Sequence, residues 1–266
     1  LVIAKDFEFA KRLKSYSPDF EIYLQFDSFR EEALISLRGA NLKKIREKAI
    51  QNLNELNLST TLVVTLQKGL NDDEIGEIID YALKQKCVRG VTFQPTQIAG
   101  RLDNFHHETD RITLTEVRRK ILEQTEIFTS DDLIPVPCNP DALVMGYVLK
   151  LEGNNIPLTR YINPTDLLDN SKNTIVYEQD EELHRKMFEI FSTGTSTDKA
   201  SSKLHSLLCC LPFVEAPNLS YNNLFRIIIM QFIDAHNFDV RAIKKSCVHI
   251  VNKDNKIIPF ETMNLF

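Results

Sequence analysis

The run from Thr60 to Leu66 constrains this chain more than any other segment. It is β-prone at every position and lies between two amphipathic helical stretches. A strand without polar alternation is covered on both faces, as in parallel sheets flanked by helices. Upstream, Asn41 to Asn57 carries Leu42, Ile45, Ala49, Leu53 and Leu56 at helical spacing. Downstream, Asn71 followed by Asp72, Asp73 and Glu74 predicts a helix capped by Asn71 and running to about Lys86. Its acidic first turn would face the positive end of the helix dipole.

The alternation extends in both directions. Leu1 to Ala4 reads as a short apolar strand, Phe7 to Tyr16 as a helix and Glu21 to Phe26 as an alternating strand. Val88 to Phe93 is the next strand, and Thr113-x-x-Glu116 is a capping box for a helix to about Glu126. Strand-helix-strand-helix order implies an α/β fold with parallel strands and right-handed crossovers, either a barrel portion or a doubly wound sheet.

The pattern changes near Thr129, where Pro135, Pro137 and Pro140 interrupt regular structure. Leu143 to Leu151 reads as a strand that turns through Glu152 to Asn155 and returns over Ile156 to Tyr161. Helices are expected over Glu181 to Phe191, Lys203 to Leu208 and Asn222 to Ala235, with a mobile loop over Ser192 to Ser202. A hairpin follows, from Cys247 to Val251 and from Lys256 to Phe260. The boundary falls near 128, with a parallel unit over 1–128 and a smaller α+β unit over 129–266.

Composition removes several functions. The chain has only 8 glycines, and it contains neither a Gly-x-Gly-x-x-Gly turn nor a Gly-x-x-x-x-Gly-Lys loop. Gly-x-Ser-x-Gly and His-Glu-x-x-His are also absent. A net charge of −5 argues against nucleic acid as a partner. No apolar run approaches the roughly 20 residues of a membrane span. Five cysteines, two of them adjacent at 209 and 210, suggest a reducing, cytoplasmic setting. The first residue, Leu1, and the apolar end at Phe266 suggest a piece of a longer protein.

Several strings then align with one superfamily. They are Tyr23-Leu24-Gln25-Phe26-Asp27, Leu37-Arg38-Gly39, Lys48-Ala49-Ile50, Leu62-Val63-Val64-Thr65 and Lys68-Gly69-Leu70-Asn71-Asp72. Glu74-Ile75-Gly76, Phe93-Gln94-Pro95 and Gly100-Arg101 continue the series. Further on stand Pro135-Val136-Pro137-Cys138-Asn139-Pro140-Asp141, Pro157-Leu158-Thr159-Arg160, Phe238-Asp239-Val240-Arg241 and Cys247-Val248-His249. The chain resembles the second half of a radical S-adenosylmethionine (SAM) barrel and its C-terminal extension. The resemblance is to the MoaA-related branch that includes a tetraether lipid synthase and a pterin methyltransferase. It implies a partial barrel of parallel strands with outer helices, followed by a smaller α+β domain. It also implies SAM and a four-iron four-sulfur cluster as cofactors. The full-length enzyme would cleave SAM to a 5′-deoxyadenosyl radical that abstracts hydrogen, for methylation or carbon–carbon bond formation.

One departure bears on that reading. The Cys-x-x-x-Cys-x-x-Cys loop that holds the family's main cluster is missing, and no cysteines here have that spacing. The chain alone is therefore expected to be inactive. The alternative is a non-catalytic α/β binding module that has lost its cluster.

Parallel α/β barrels do their chemistry at the carboxyl ends of their strands, which makes Asp27, Thr65, Gln94 and Arg101 the candidates for the SAM and substrate shell, and at Asp27 the resemblance implies a SAM contact. Asp27 would accept a ribose diol, Thr65 with Gln67 would bond the adenosyl or methionyl part, and Arg101 would pair with a carboxylate or phosphate. Each has a plain structural alternative as a loop, cap or strand residue. Cys138 and Cys247, with Cys210 or Cys209, could hold an auxiliary cluster. The related lipid synthases carry a further cysteine where Asp141 and Ala142 stand here, and buried cysteines commonly just pack. Cys87 reads as structural. His106 and His107, beside Glu108 and Asp110, read as a surface loop rather than metal ligands. The apolar segment Leu224 to Phe232 reads as a core helix, with a lipid tunnel as the sharper alternative. The expected partners are a small-molecule or lipid substrate, and a second copy joined through an open sheet edge at Leu1 to Ala4.

Overall fold

In a computed structural model, residues 1–17, 20–98, 105–136, 139–151, 154–160, 223–246 and 248–263 are described. The described helices are α1 (Val2–Lys5), α2 (Phe7–Lys14), α3 (Glu31–Arg38), α4 (Lys43–Leu56), α5 (Ile75–Lys84), α6 (His107–Asp110), α7 (Leu114–Gln124), α8 (Val240–Ile243) and α9 (Phe260–Met263). The strands are β1 (Ile22–Gln25), β2 (Thr60–Leu66), β3 (Val88–Pro95), β4 (Ile134–Pro135), β5 (Leu143–Leu151), β6 (Asn154–Pro157), β7 (Leu224–Met230), β8 (His249–Val251) and β9 (Ile257–Pro259).

One mixed sheet organises the chain, in the order β1-β2-β3-β7-β5-β4, with β6 also on β5. β1, β2, β3 and β7 are parallel neighbours. β5 runs antiparallel to β7, β4 and β6. The first three strands stand side by side in sequence order, as the strand-helix alternation predicts. The sheet continues across residue 128, because β3 bonds directly to β7. β8 and β9 form the expected C-terminal hairpin. No described helix is long and apolar enough to cross a membrane.

Register gives the sheet two unlike faces. Leu62, Val64 and Leu66 share a face with Val91, Phe93, Ile227 and Ile229. This face packs on Ile50 and Leu53 of α4, Ile75, Ile78 and Ile79 of α5, and Val117 and Ile121 of α7 in one core. The opposite face carries Gln25, Thr61, Thr65, Thr92, Gln94 and Arg226. Helix packing therefore occupies one side and leaves most of the sheet's polar side chains on the other.

Two helix details follow from local chemistry. Thr113 and Glu116 form the expected capping box at the start of α7. At Gly76 in α5, an added Cβ would lie 2.3 Å from the Gln124 carbonyl oxygen, so α5 and the end of α7 approach too closely for any side chain.

Four expectations are corrected. Leu1 to Ala4 is not a strand: Val2–Lys5 is a helical turn, and the Asp6 carboxylate after it caps α2 by accepting from Phe9 N at 2.8 Å. A short apolar run does not by itself separate strand from helix. Among the described strands the sheet edge on this side is β1, and Leu1 to Ala4 forms no edge of the sheet. Asn71 does not cap the next helix, since α5 begins at Ile75 and Asn71 bonds elsewhere. Asn222 to Ala235 is not a helix. Its core is β7, a strand bonded on both sides, and the β-branched run Ile227-Ile228-Ile229 explains the preference. The helix-walled lipid tunnel lapses with it. The expected elements over 181–191, 192–202 and 203–208 lie outside the described residues.

Candidate functional site

Ligands of open parallel sheets bind outside the carboxyl ends of the strands. Here those ends carry Gln25 and Asp27 after β1, Thr65 and Gln67 at β2, Gln94 at β3, and Gln231 after β7.

Asp27 is the centre of the first cluster. Its backbone is left-handed, with φ of 64°. Non-glycine residues other than Asn and Asp rarely adopt this region. The residue is 0 % exposed. Arg38 grips the carboxylate with two parallel bonds, Nε to Oδ2 and a terminal nitrogen to Oδ1, both 2.8 Å. Arg46 donates to Oδ2 at 2.6 Å, Gln25 Nε2 to Oδ1 at 2.7 Å, and Thr65 N to Oδ1 at 3.0 Å. Burial alone would raise the Asp27 pKa. The bonds and charge of Arg38, with Gln25 and Thr65 N, outweigh it and hold the carboxyl below its ordinary range. Arg38 is raised in turn by its bond to Asp27.

The surrounding residues tie the strand ends together. Arg38 also donates to Thr65 Oγ1 at 2.7 Å, and Arg46 donates to the Phe26 carbonyl. Asn71 Nδ2 donates to the carbonyls of Asp27 at 3.0 Å and Thr65 at 2.8 Å, while its Oδ1 accepts from Gln67 N at 3.0 Å. Glu74 accepts from Phe29 N at 3.0 Å and from the Ser28 hydroxyl, fixing the loop beyond Asp27. Gly39, with φ of 73°, ends α3 directly after Arg38 and lets the chain reverse there. The Arg38 side chain remains partly exposed, at 31 %.

The structure thus brings Asp27, Thr65 and Gln94 to one end of the sheet. Thr65 and Gln94 are register partners, and both are half-buried. The sequence reading missed Arg38 and Arg46 as Asp27's partners. Arg46 left one trace, a charged residue within the apolar stripe of α4 between Leu42 and Ile50. Gln97, beyond β3, was also missed. Both of its carboxamide atoms are buried without a hydrogen-bond partner.

A second group joins β3 to β7. Asp234, 1 % exposed, accepts from Ile98 N at 2.9 Å, Arg111 at 3.1 Å and His236 N at 2.9 Å. His106 and His107 are exposed, and His107 stacks on His236 with ring centroids 4.0 Å apart. No group of three His, Cys, Asp or Glu among the described residues is placed to hold a metal ion.

Arg101, Cys138, Cys209, Cys210 and Cys247 lie outside the described residues. Asn139 and Val248, the chain neighbours of Cys138 and Cys247, line one cavity with Met230 and Phe232. Cys87 is buried at the other end of the sheet, just before β3. Burial pushes its thiol up to about 11, against weaker opposing pulls from Thr60, Arg89 and Lys150. Thiolate is the reactive form. Peptide mapping should therefore find Cys87 unalkylated after iodoacetamide treatment of the native protein at about pH 8, and alkylated after denaturation.

No protein-family model matches the chain. The chain is similar to the 7,8-dihydro-6-hydroxymethylpterin dimethyltransferase of Methanocaldococcus jannaschii, with 32 % identity over 303 aligned positions. The alignment takes in 98 % of this chain and 58 % of that protein, so the chain spans little more than half of its relative's length.

Proposed function

We propose that this chain is the C-terminal portion of a radical SAM methyltransferase acting on a pterin or a related small ring. The parallel strands β1, β2, β3 and β7 would be part of its barrel. Similarity across nearly the whole chain to a pterin dimethyltransferase is the observation that carries the reading. The polar ends of β1, β2 and β3 support it, since a barrel does its chemistry at the carboxyl ends of its strands.

The residues fit SAM in one respect and not another. The Asp27 oxygens already accept from Arg38, Arg46, Gln25 and Thr65 N, so a ribose diol would have to displace a charge-assisted bond. Asp27 instead positions Arg38, whose partly exposed side chain can pair with the SAM carboxylate. Thr65 and Gln94 lie beside it to bond the remaining polar atoms. When bound, SAM supplies the methyl group or the radical. This chain contributes orientation and a fixed positive charge.

The cysteines do not fit the main cluster. No Cys-x-x-x-Cys-x-x-Cys spacing exists, and the one described cysteine, Cys87, is buried at the opposite end of the sheet. The same observation favours a second reading, a non-catalytic binding module.

Calorimetry with SAM tests the proposal. The purified chain should bind SAM, and Arg38→Leu should weaken binding about tenfold or more, the loss of one charge-assisted pair. Reconstitution with iron, sulfide and reductant should give no 5′-deoxyadenosine from this chain. Absence of SAM binding overturns the reading, and turnover overturns the expectation of inactivity.

A further inference from the structure

The C-terminal hairpin has two unlike faces. Val251 pairs with Ile257 in register, so their side chains lie side by side on one face of β8 and β9. They are 65 % and 70 % exposed. The other face turns inward. Ile250 and Ile258 on it are half-buried, and Phe260, which continues the pairing, packs on Phe232 beyond β7 with ring centroids 5.2 Å apart. Single exposed apolar residues are ordinary on a protein surface. A cross-strand aliphatic pair left open to water gives up the burial that makes such side chains stabilising.

The turn between the two strands is fixed and basic. Asn252 Oδ1 accepts from Asp254 N and Lys256 N, both at 2.9 Å, and Asn255 is left-handed with φ of 58°. Lys253 and Lys256 stand exposed on this turn, and Lys244 and Lys245 stand exposed directly after α8. From Lys244 to Met263 there are four lysines against two acids, Asp254 and Glu261, although the whole chain carries −5. The charge of this segment therefore opposes that of the chain, and it surrounds the open apolar pair.

Size and charge decide what such a surface can receive. Two strands of three residues present a face of only roughly 10 Å by 10 Å. A stable protein partner covers about 800 Å² on each side. A second copy would bring one lysine cluster against another. A fluid bilayer needs no matched shape. It accepts a few aliphatic side chains at the boundary of headgroups and acyl chains, and anionic headgroups attract lysines. We propose that the β8–β9 hairpin docks on an anionic lipid surface, with Val251 and Ile257 entering that boundary and Lys253 and Lys256 pairing with lipid phosphates. This is attachment to a surface rather than a span, and it does not depend on SAM or on a pterin.

Flotation of the purified chain with vesicles tests it. The chain should float with vesicles of phosphatidylglycerol and phosphatidylcholine in equal parts, and stay behind with phosphatidylcholine alone. Lys253→Gln and Lys256→Gln should each weaken binding about fivefold, the usual share of one lysine near an anionic surface. Val251→Ser combined with Ile257→Ser should weaken it about tenfold or more. Val2→Ser, at a position 54 % exposed on α1, is the control and should leave it unchanged. The chain contains no tryptophan, so Val251→Trp adds a single reporter. Its emission should shift to the blue with the anionic vesicles, and that of Val2→Trp should not. No flotation with anionic vesicles overturns the proposal. So does binding that the lysine variants lose while the Val251 and Ile257 variant keeps it and the reporter stays unshifted, because charge alone would then act and an acidic protein would serve as well. Dimerisation that depends on Val251 and Ile257, in place of flotation, gives the face to a second copy and also overturns it.

Discussion

Asp27→Asn should cost about 3–5 kcal/mol of stability in urea unfolding, the scale of breaking a buried ion pair from one side. The two side chains are nearly the same size, so the loss is electrostatic rather than steric. Without the carboxylate, Arg46 keeps a guanidinium that is 6 % exposed and faces Arg38 with no charge between them. Asn also tolerates the left-handed backbone at this position, so backbone strain does not confuse the comparison. Adding Arg46→Met should recover much of the loss, because it removes the stranded charge. A loss below about 1 kcal/mol would mean the pair is solvated and contributes as surface bridges do.

The same residue sets an acid limb. Its folded pKa lies below the ordinary carboxylate value, so the unfolded chain takes up the proton first as pH falls. Asp27 thus adds stability that is fully present above about pH 4, the unfolded value, and is lost as pH falls through the lower folded value. Wild-type stability should drop across that window, and Asp27→Asn should flatten the drop.

Gly76→Ala should give the second large effect, a loss of about 1–3 kcal/mol. In an open helix interior the same change would stabilise by up to about 1 kcal/mol. Here the new Cβ meets backbone, Gln124 O at 2.3 Å, which cannot rotate away as a flexible side chain could. Gln124 also accepts from Gly76 N at 2.9 Å and donates to Asp72 O at 2.9 Å, so pushing it aside breaks both bonds. Gly69→Ala is the control. Its φ of 72° strains alanine but nothing lies within 4 Å, so only the conformational cost of about 1–2 kcal/mol remains. A Gly76→Ala variant as stable as wild type would mean that α5 and α7 can separate freely.

What was legible in the sequence had short-range physical causes. β2 is buried along nearly its whole length and reads as an unbroken β-prone run, and the Thr113–Glu116 box is complete within four residues. β7 was misread because its apolar run lies in the middle of a sheet, where both faces are covered and no alternation survives to distinguish strand from helix. α3 passed unnoticed although Glu31, Glu32, Arg38 and Gly39 are ordinary helix-end residues, because the stretch between them is only weakly amphipathic. Asp27 was found from its place after a strand. Its arginine partners were not, since Arg38 and Arg46 reach it through tertiary packing that sequence spacing does not encode. Asn71 shows the same limit. Its acidic neighbours suggested a cap, yet its amide joins two strand ends.

The position of β7 sets the order in which the chain can be completed during synthesis. β3 leaves the ribosome early and β5 later, but they touch β7 rather than each other, and β7 is among the last strands made. Until it arrives, β3 and β5 both present bare edges, and an unpaired strand edge recruits other chains. Closing this sheet also requires a pairing of long sequence separation, which is slow to form. Ribosome-bound chains that stop before Leu224 should therefore aggregate or engage chaperones, and extending them past Met230 should end that behaviour.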